Sequence, residues 1–506
     1  MEGSMLRVRC SAAWSRIVLS TSLAVAVVVL AAAAVAHAAD ASKTGGGGVD
    51  APPPGFPADA SGSANAEPPV STKAEASGSA KAPATGSAKA ASTGSTKAAA
   101  SVSAKGVAVP PSGSAVSAAN LEQYRHLLSP GMQWLVERGG TMPVTAYGKI
   151  VDPPPYREAT EKFAGQVSLS PDGTSLVNHV AGQPFPTIDP GDPWIATKLM
   201  FNFASAIAVD DSDTRNFDCD TGQVGSKGNP TRVEKHFLID HIRRLFFRER
   251  LVVDPKPELP NRDAARFKEA LYPLIEPFDL KGTGFTFTRY KDQTRQDDTW
   301  LYLPQLRRVR RLSSAQRSDA LFGQDTDADS FEGYQGNIAW MTWKLVGEQT
   351  ILGTMHAEQL PVKWGKPSGD FLHDDVWEPR NVWIVEGVSR LPQYAYSKRV
   401  IYLDKEVYRV PFTDMYDAGG ELWKVWVNNY KFSKEPMPGA KYSMPWPYGY
   451  RPSISMVDIQ LEHGTYCSLP SSRFPGEQGW YVDLGDEEGT TEEFFDLSQI
   501  IAAGRG

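Results

Sequence analysis

Four arginines stand within five residues near the middle of the chain, where residues 307–311 read Arg-Arg-Val-Arg-Arg. If this segment is extended, Arg308 and Arg310 share one face of the strand. Guanidinium groups bind carboxylates and phosphates through paired hydrogen bonds. Two interpretations follow. The arginines form an ion-pair network with the acidic residues between 319 and 332, or they hold an anionic head group.

Other polar clusters match known metal and catalytic sites only in part. Residues 325–329 begin like a calcium-binding EF-hand loop, but that loop needs Gly and Glu where this chain has Ser330 and Gly336. The spacing of His236 and His241 is wrong for two metal ligands on one face of a helix. The chain contains no zinc-protease, P-loop or nucleophile-elbow motif. The sequence therefore predicts no catalytic residue, no metal and no cofactor.

The composition favours a large aromatic core and argues against nucleic acid as a partner. The net charge is -7 over 506 residues, and the basic residues form no dominant block. The 13 Trp, 18 Tyr and 21 Phe lie almost entirely beyond residue 120, enough to leave aromatic surface for a ligand. Beyond the leader, Cys219 and Cys467 are the two cysteines. They form a disulfide in an oxidising compartment or remain two buried thiols.

Residues 1–38 have the three parts of a secretory signal peptide. Arginines precede an apolar run, Ile17–Val35, and residues 36–38 then read Ala-His-Ala, a small-x-small cleavage pattern. The run is nearly long enough to span a bilayer, so an uncleaved inner-membrane anchor is the alternative. Either form predicts an exported protein.

Residues 39–118 are mainly Ala, Gly, Ser, Pro and Lys, with Phe56 as the one aromatic residue. Lysine recurs every eight residues from Lys73 to Lys105. Because no large apolar side chain offsets the entropy of ordering, we expect a disordered spacer. It serves as a tether, or it is low-complexity sequence without a function. The folded domain is then expected over residues 119–506.

The pattern in this domain is of short strands joined by polar turns. The alternation at 285–288 places Phe285 and Phe287 on one face of a strand. Further strands are expected at 299–303, 381–386, 400–403, 406–410 and 422–427, and short helices begin near 121, 132 and 156. Alternating strand and helix units are absent. The predicted fold class is mainly antiparallel β with helices (α+β): a curved open or half-closed β-barrel packed on helices.

Several segments, taken in order, resemble the outer-membrane lipoprotein-sorting proteins of the LolA and LolB type. Those segments are residues 298–319, 323–325, 396–406 and 416–424. Residues 165–167, 181–186 and 377–380 are similar to a proteobacterial periplasmic family of unknown function related to them. The resemblance implies a half-barrel closed by helices around an apolar cavity, in the periplasm or cell envelope of a Gram-negative bacterium. It brings no catalytic residue, and it implies an inner-membrane exporter of the resistance–nodulation–division type as a partner.

An apolar cavity of this kind would shelter acyl chains from water, a gain of about 0.8 kcal/mol for each CH₂ group. The candidate lining residues are Phe285, Phe287, Trp300, Tyr302, Trp423 and Val425. For each of them, a place in an ordinary filled core is the alternative. Arg308 and Arg310 are the head-group candidates. The sequence predicts a non-enzymatic carrier or binding protein for lipid or lipoprotein, with an envelope glycan-binding module or an envelope hydrolase as alternatives.

Overall fold

The computed structural model describes residues 107–505 except 207–208, 226–231, 314–315, 366–370, 434–439, 443–447, 470, 472, 475–478 and 486–489. The predicted leader, and the predicted spacer up to residue 106, lie outside the described residues. Within the described part, no helix has the length and apolar character to cross a membrane.

Short helices flank a large sheet. They are α1 (Leu121–Tyr124), α2 (Pro130–Glu137), α3 (Pro154–Phe163), α4 (Ile195–Ser205) and α5 (Leu497–Ala503). Helix α2 begins after Ser129, whose Oγ accepts a hydrogen bond from the N–H of Met132 (3.2 Å). Pro130 then occupies the first helical position, where its missing N–H costs nothing.

The strands span most of the described chain. The first ten are β1 (Ala115–Val116), β2 (Met142–Pro143), β3 (Ser168–Leu169), β4 (Leu176–Val177), β5 (Asp211–Gln223), β6 (Arg232–Phe246), β7 (Ala265–Leu271), β8 (Leu274–Glu276), β9 (Gly284–Tyr290) and β10 (Asp298–Leu303). The others are β11 (Arg308–Leu312), β12 (Met341–Gly353), β13 (Glu378–Ser389), β14 (Lys398–Asp404), β15 (Phe412–Tyr416), β16 (Leu422–Ser433), β17 (Ala440–Tyr442), β18 (Tyr448–Asp458), β19 (His463–Ser468) and β20 (Trp480–Val482).

One sheet of 16 strands dominates the described part, in the order β11-β10-β9-β7-β6-β5-β19-β18-β16-β15-β14-β13-β12. Strand β8 pairs with β6, and β20 pairs with β5 and β17. All neighbours along this order are antiparallel. The prediction of a mainly antiparallel β fold with helices is confirmed. The two end strands, β11 and β12, do not pair in the described structure, so the sheet is open and curved, and the half-closed barrel is wrong.

The two faces of the sheet bury different clusters. We call the face that carries Phe285 and Trp426 the inner face, and the opposite face the outer face. On the outer face, Val425 and Phe412 pack with Leu135 of α2. The inner face carries α4, through a cluster that includes Leu199, Val385 and Ile401.

A disulfide joins the two halves of the chain at the centre of the sheet. Cys219 on β5 and Cys467 on β19 lie opposite each other in register, and their sulfur atoms are bonded at 2.09 Å. Both residues belong to a buried inner-face cluster that also contains Trp426 and Met456.

Two local predictions differ from the structure. The strand expected at residues 406–410 is wrong, because β14 pairs with β15 and residues 405–411 form the connection between them. Tyr408 there has a positive φ of 51°, outside the β region of backbone conformation. At the start of the described part, β1 pairs with β2, so residues that we assigned to the spacer contribute a strand.

Candidate functional site

A small apolar cavity lies on the inner face beneath a loop that we call the cover segment, residues 316–335. Phe285 and Phe287 of β9 and Leu271 of β7 form its floor, and Phe322 and Phe331 of the cover segment form its roof. The two phenylalanines of β9 are buried, with ring centroids 6.1 Å apart. The free volume is about 30 Å³, which is room for two or three water-sized groups, at about 10–15 Å³ each.

Buried ion pairs hold the cover segment on the sheet. Arg317 Nε lies 2.5 Å from Asp329 Oδ1, and its Nη1 lies 2.8 Å from Asp297 Oδ2. Asp327 accepts a hydrogen bond from the hydroxyl of Tyr396 (2.6 Å) and lies 3.7 Å from the guanidinium of Arg399. Because a buried charge without its partner is strongly destabilising, these pairs fix the position of the segment.

The same contacts decide between the two interpretations of the arginine cluster. Asp325, the remaining candidate partner, pairs with His463 at 2.9 Å. Within the described residues, Arg308 and Arg310 have no carboxylate within 4.0 Å, and both are exposed. The expected ion-pair network between these two arginines and the acidic residues of the cover segment is therefore wrong for the described chain.

Arg308 and Arg310 lie at the open edge of the inner face. Strand β11 ends the sheet, and its Arg310 is the cross-strand neighbour of Leu301 on β10, which in turn faces Phe285 on β9. The alternation of side chains therefore puts Arg308 and Arg310 on the face that carries the apolar cavity. Arg311 points to the outer face, where it pairs with Asp298.

A second, larger cavity of about 170 Å³ adjoins the first and shares Glu269, Leu271 and Phe331 with it. Apolar side chains line one part of it, among them Phe217 of β5, Ile242 and Phe246 of β6 and Trp480 of β20. Charged side chains line the other part, namely Arg244, Glu269, Glu332, Arg409 and Arg451. We call this charged part the arginine chamber.

Glu332 is the acidic centre of the arginine chamber. Its Oε1 lies 3.1 Å from Arg244 Nη1 and 3.3 Å from Arg451 Nη1. Burial raises the pKa of Glu332, but the guanidinium groups of Arg244, Arg451 and Arg409 outweigh that effect and lower it to about 2. The carboxylate is therefore charged at any physiological pH. No sequence signal marks this chamber, because its residues come from five separate segments.

The structure does not bring the six predicted lining residues together. Phe285 and Phe287 line the apolar cavity. Trp300 and Tyr302 lie on the outer face, where Tyr302 packs against Ile500 of α5. A β-strand shows alternate residues to opposite faces, and the register of β10 against β9 sets these two outward.

The other two predicted residues lie on β16, away from the apolar cavity. Val425 is buried on the outer face against α2. The contact is so close that a Cβ added at Gly131 would lie 2.6 Å from the Cβ of Val425. Trp423 is half-buried beside Tyr396, with ring centroids 5.2 Å apart. Its Nε1 donates a hydrogen bond to Asp458 Oδ2 (2.8 Å).

An open groove of about 960 Å³ on the outer face contains His236, one of the two histidines considered in the sequence analysis. Trp364 and Tyr466 form an aromatic wall, with ring centroids 4.6 Å apart. Both ring nitrogens of His236 lie near carboxylates, 2.9 Å from Asp218 and 2.6 Å from Asp220. Hydrogen bonds to these two carboxylates raise the pKa of His236 to about 9, so the imidazole is a charged structural partner here.

Within the described part of the chain, no three His, Cys, Asp or Glu residues come close enough to hold a metal ion. The aspartates at 325, 327 and 329 are each paired with a cation or a hydrogen-bond donor instead.

Three solved structures are similar to this chain. A candidate outer membrane lipoprotein-sorting protein domain from Vibrio parahaemolyticus is 17% identical, with a TM-score of 0.40, and the match covers 60% of this chain and 97% of that one. A DUF1329 family protein from Desulfovibrio piger is 16% identical, with a TM-score of 0.40 and coverages of 60% and 96%. The LolA superfamily protein NE2245 from Nitrosomonas europaea is 13% identical, with a TM-score of 0.32 and coverages of 58% and 92%.

At these TM-scores the likenesses carry no inference about function. No curated protein matches the chain. The family model of a protein of unknown function, DUF1329, matches residues 115–479, well over half of the sequence. The resemblance to a family of unknown function is thereby confirmed, and the chain belongs to the DUF1329 family.

Proposed function

We propose that this protein is a non-enzymatic carrier or binding protein for lipid or lipoprotein in the cell envelope. The observation that carries the proposal is the pair of adjoining cavities between the inner face and the cover segment. Their apolar walls would take acyl chains out of water, at about 0.8 kcal/mol per CH₂ group. The free volume is small as it stands, so larger ligands require the cover segment to move.

The edge arginines fit the same proposal. Arg308 and Arg310 stand exposed on the inner face, one strand beyond Leu301. In this position they would meet the anionic head groups of lipids at the mouth of the cavity, as cations on a peripheral protein meet an anionic membrane surface.

The periplasm of a Gram-negative bacterium is the proposed location. The leader predicted at residues 1–38 would export the chain, and the Cys219–Cys467 disulfide suits an oxidising compartment. An inner-membrane exporter of the resistance–nodulation–division type is the proposed partner in transport.

The direct test is to purify the protein without detergent and to identify bound lipid by extraction and mass spectrometry. We expect stoichiometric acyl-chain lipid. A fluorescent fatty-acid probe then gives the affinity of lipid-free protein. Phe287→Ala should weaken probe binding, because Phe287 lines the apolar cavity.

Tyr302→Ala is the matched control for that variant, since Tyr302 is equally buried but lies on the outer face. It should lower stability and leave the probe affinity of the folded protein unchanged. Protein that carries no lipid and binds no probe would contradict the carrier function.

Glycan binding remains a second candidate because of the groove on the outer face. Exposed aromatic faces stack on sugar rings, and Trp364 and Tyr466 stand there beside carboxylates and Lys363. Sedimentation with insoluble envelope polysaccharide tests it. Binding that Trp364→Ala abolishes would support the glycan-binding module, and absence of binding would remove it.

A further inference from the structure

Arg409 lines the arginine chamber without an ion-pair partner. The residue lies in the connection between β14 and β15 and is half-buried. Within the described residues, no carboxylate comes within 4.0 Å of its guanidinium. Its long-range influence nevertheless contributes to lowering the pKa of Glu332, so the two groups face the same space.

Arg451 brings an unsatisfied hydrogen-bond donor to the chamber. One of its terminal nitrogens contacts Glu332, but its Nε is buried and has no hydrogen-bond partner in the described structure. A buried donor without a partner costs about 1–3 kcal/mol. An occupant that accepts a hydrogen bond at this position would recover that energy.

The charges of the chamber do not balance. Arg244, Arg409 and Arg451 bring three positive charges, and Glu269 and Glu332 bring two negative charges. Arg244 is shared between the two glutamates. Asp152, on which the charge of Arg409 also acts, does not line the cavity, so the cationic excess among the lining residues is on the side of Arg409. One negative charge would complete the chamber.

Resting on the proposed function, we infer that the cavities bind a single-chain amphiphile with a carboxylate or phosphate head. The head lies between Arg409 and Arg451. The chain extends from there along Ile242, Phe246 and Leu271 toward the apolar cavity. The larger cavity shares Leu271 and Phe331 with that apolar cavity. The apolar side chains and the guanidinium groups of Arg409 and Arg451 thus recognise the two ends of one molecule.

The size of the cavities sets the length of the chain. The chamber and its apolar wall enclose about 170 Å³, which is room for on the order of ten water-sized groups. A single chain of about that many carbons fits without movement of the cover segment. Lipids with several chains do not fit the closed form.

Calorimetric titration of the lipid-free protein with decanoate, decyl phosphate and decanol tests the inference. The three probes share one chain and differ in the head. We expect the two anions to bind at least ten-fold more tightly than the alcohol. Arg409→Gln should remove most of this preference and leave the affinity for decanol unchanged. The tighter of the two anions identifies the head group.

Arg390→Gln is the control, because Arg390 is exposed and lines neither cavity; it should change nothing. Should Arg409→Gln fail to fold, Arg409→Lys retains the charge and should keep a reduced preference for the anions. Equal affinities for anions and alcohol in the unmodified protein would overturn the inference while the carrier function stands. If none of the three probes binds, the inference is overturned, and the extraction of bound lipid decides separately whether the carrier function stands.

Discussion

Arg310 of the edge strand β11 lies directly across from Leu301 of β10, on the face that carries the apolar cavity. An exposed cation thus adjoins the apolar surface on which the proposed function depends. The structure gives Arg310 no carboxylate partner among the described residues, so its charge is available to an external anion.

Removal of the two edge charges should weaken binding to anionic membranes. The double variant Arg308→Gln, Arg310→Gln should lose roughly 30-fold in affinity for vesicles that contain phosphatidylglycerol, since each of the two cations contributes about 1 kcal/mol at an anionic surface. Zwitterionic vesicles should show little change. The melting temperature should also stay unchanged, because neither Arg308 nor Arg310 forms an ion pair within the described part of the folded protein.

Arg311→Gln is the control on the same strand, since Arg311 points to the outer face and pairs with Asp298. Vesicle sedimentation measures all three proteins. An unchanged preference for anionic lipid in the double variant would refute a role for the edge arginines.

Trp300 and Trp423 should contribute to stability and not to the binding of a lipid probe. Both are half-buried and lie outside the lining of the two cavities. Alanine at either position should lower the free energy of unfolding by less than the about 3–5 kcal/mol of a fully buried aromatic residue. Urea unfolding measures the loss of stability, and titration with the probe measures binding. A lower probe affinity of the folded variants would show that Trp300 and Trp423 contact the ligand.

The disulfide should stabilise the domain strongly. The variant Cys219→Ser, Cys467→Ser should lose about 2–5 kcal/mol of unfolding free energy, because the bridge closes a loop of 248 residues and restricts the unfolded chain. Reduction of the unmodified protein should give the same loss in urea unfolding. Equal stability of the oxidised and reduced protein would contradict this prediction.

Asp414 should make stability fall as the pH rises. It is fully buried on β15, and it accepts hydrogen bonds from Ser129 Oγ (2.8 Å) and the N–H of Gly131 (3.2 Å). Burial raises the pKa of Asp414 from 3.8 to about 7. The folded state therefore keeps a proton that the unfolded state has released, and this group destabilises the fold increasingly from about pH 4 to pH 7.

The contribution of Asp414 to the slope of unfolding free energy against pH is at most about 1.4 kcal/mol per pH unit. Asp414→Asn should remove this part of the pH dependence, measured as unfolding free energy at a series of pH values. Asp417→Asn, at an exposed turn, is the control and should retain the slope. An identical slope in the Asp414 variant would show that the carboxyl does not titrate in this range.

The sequence predicted five of the strands, β9, β10, β13, β14 and β16, and the faces of single strands, but not how strands lie against each other. Alternation correctly placed Phe285 and Phe287 together. The prediction that Trp300 and Tyr302 line the same cavity as these phenylalanines depended on the register of β10 against β9. The connection between the two strands decides that register. A shift of one residue would have turned both aromatic side chains inward.

Features built from distant residues were beyond sequence reasoning. Helix α4 was missed because nine of its 11 residues are buried, and a helix that is apolar on nearly all sides shows no amphipathic pattern. The buried pair Arg317–Asp329 and the arginine chamber join segments whose proximity exists only in the folded chain. Local patterns contain no information on such contacts.

The pairing of β5 with β19 also determines when the sheet can be completed. These strands are neighbours at its centre, yet the cysteines that join them are 248 residues apart. As the chain folds, β5 can pair with β6 early because the two strands are close in sequence, but the other edge of β5 stays open until β19, nearly the last strand, is in place. An open strand edge is a template for wrong pairing between chains. Folding of this protein is therefore expected to depend on a holding chaperone, and a chain truncated before β19 should aggregate rather than persist as a half-sheet.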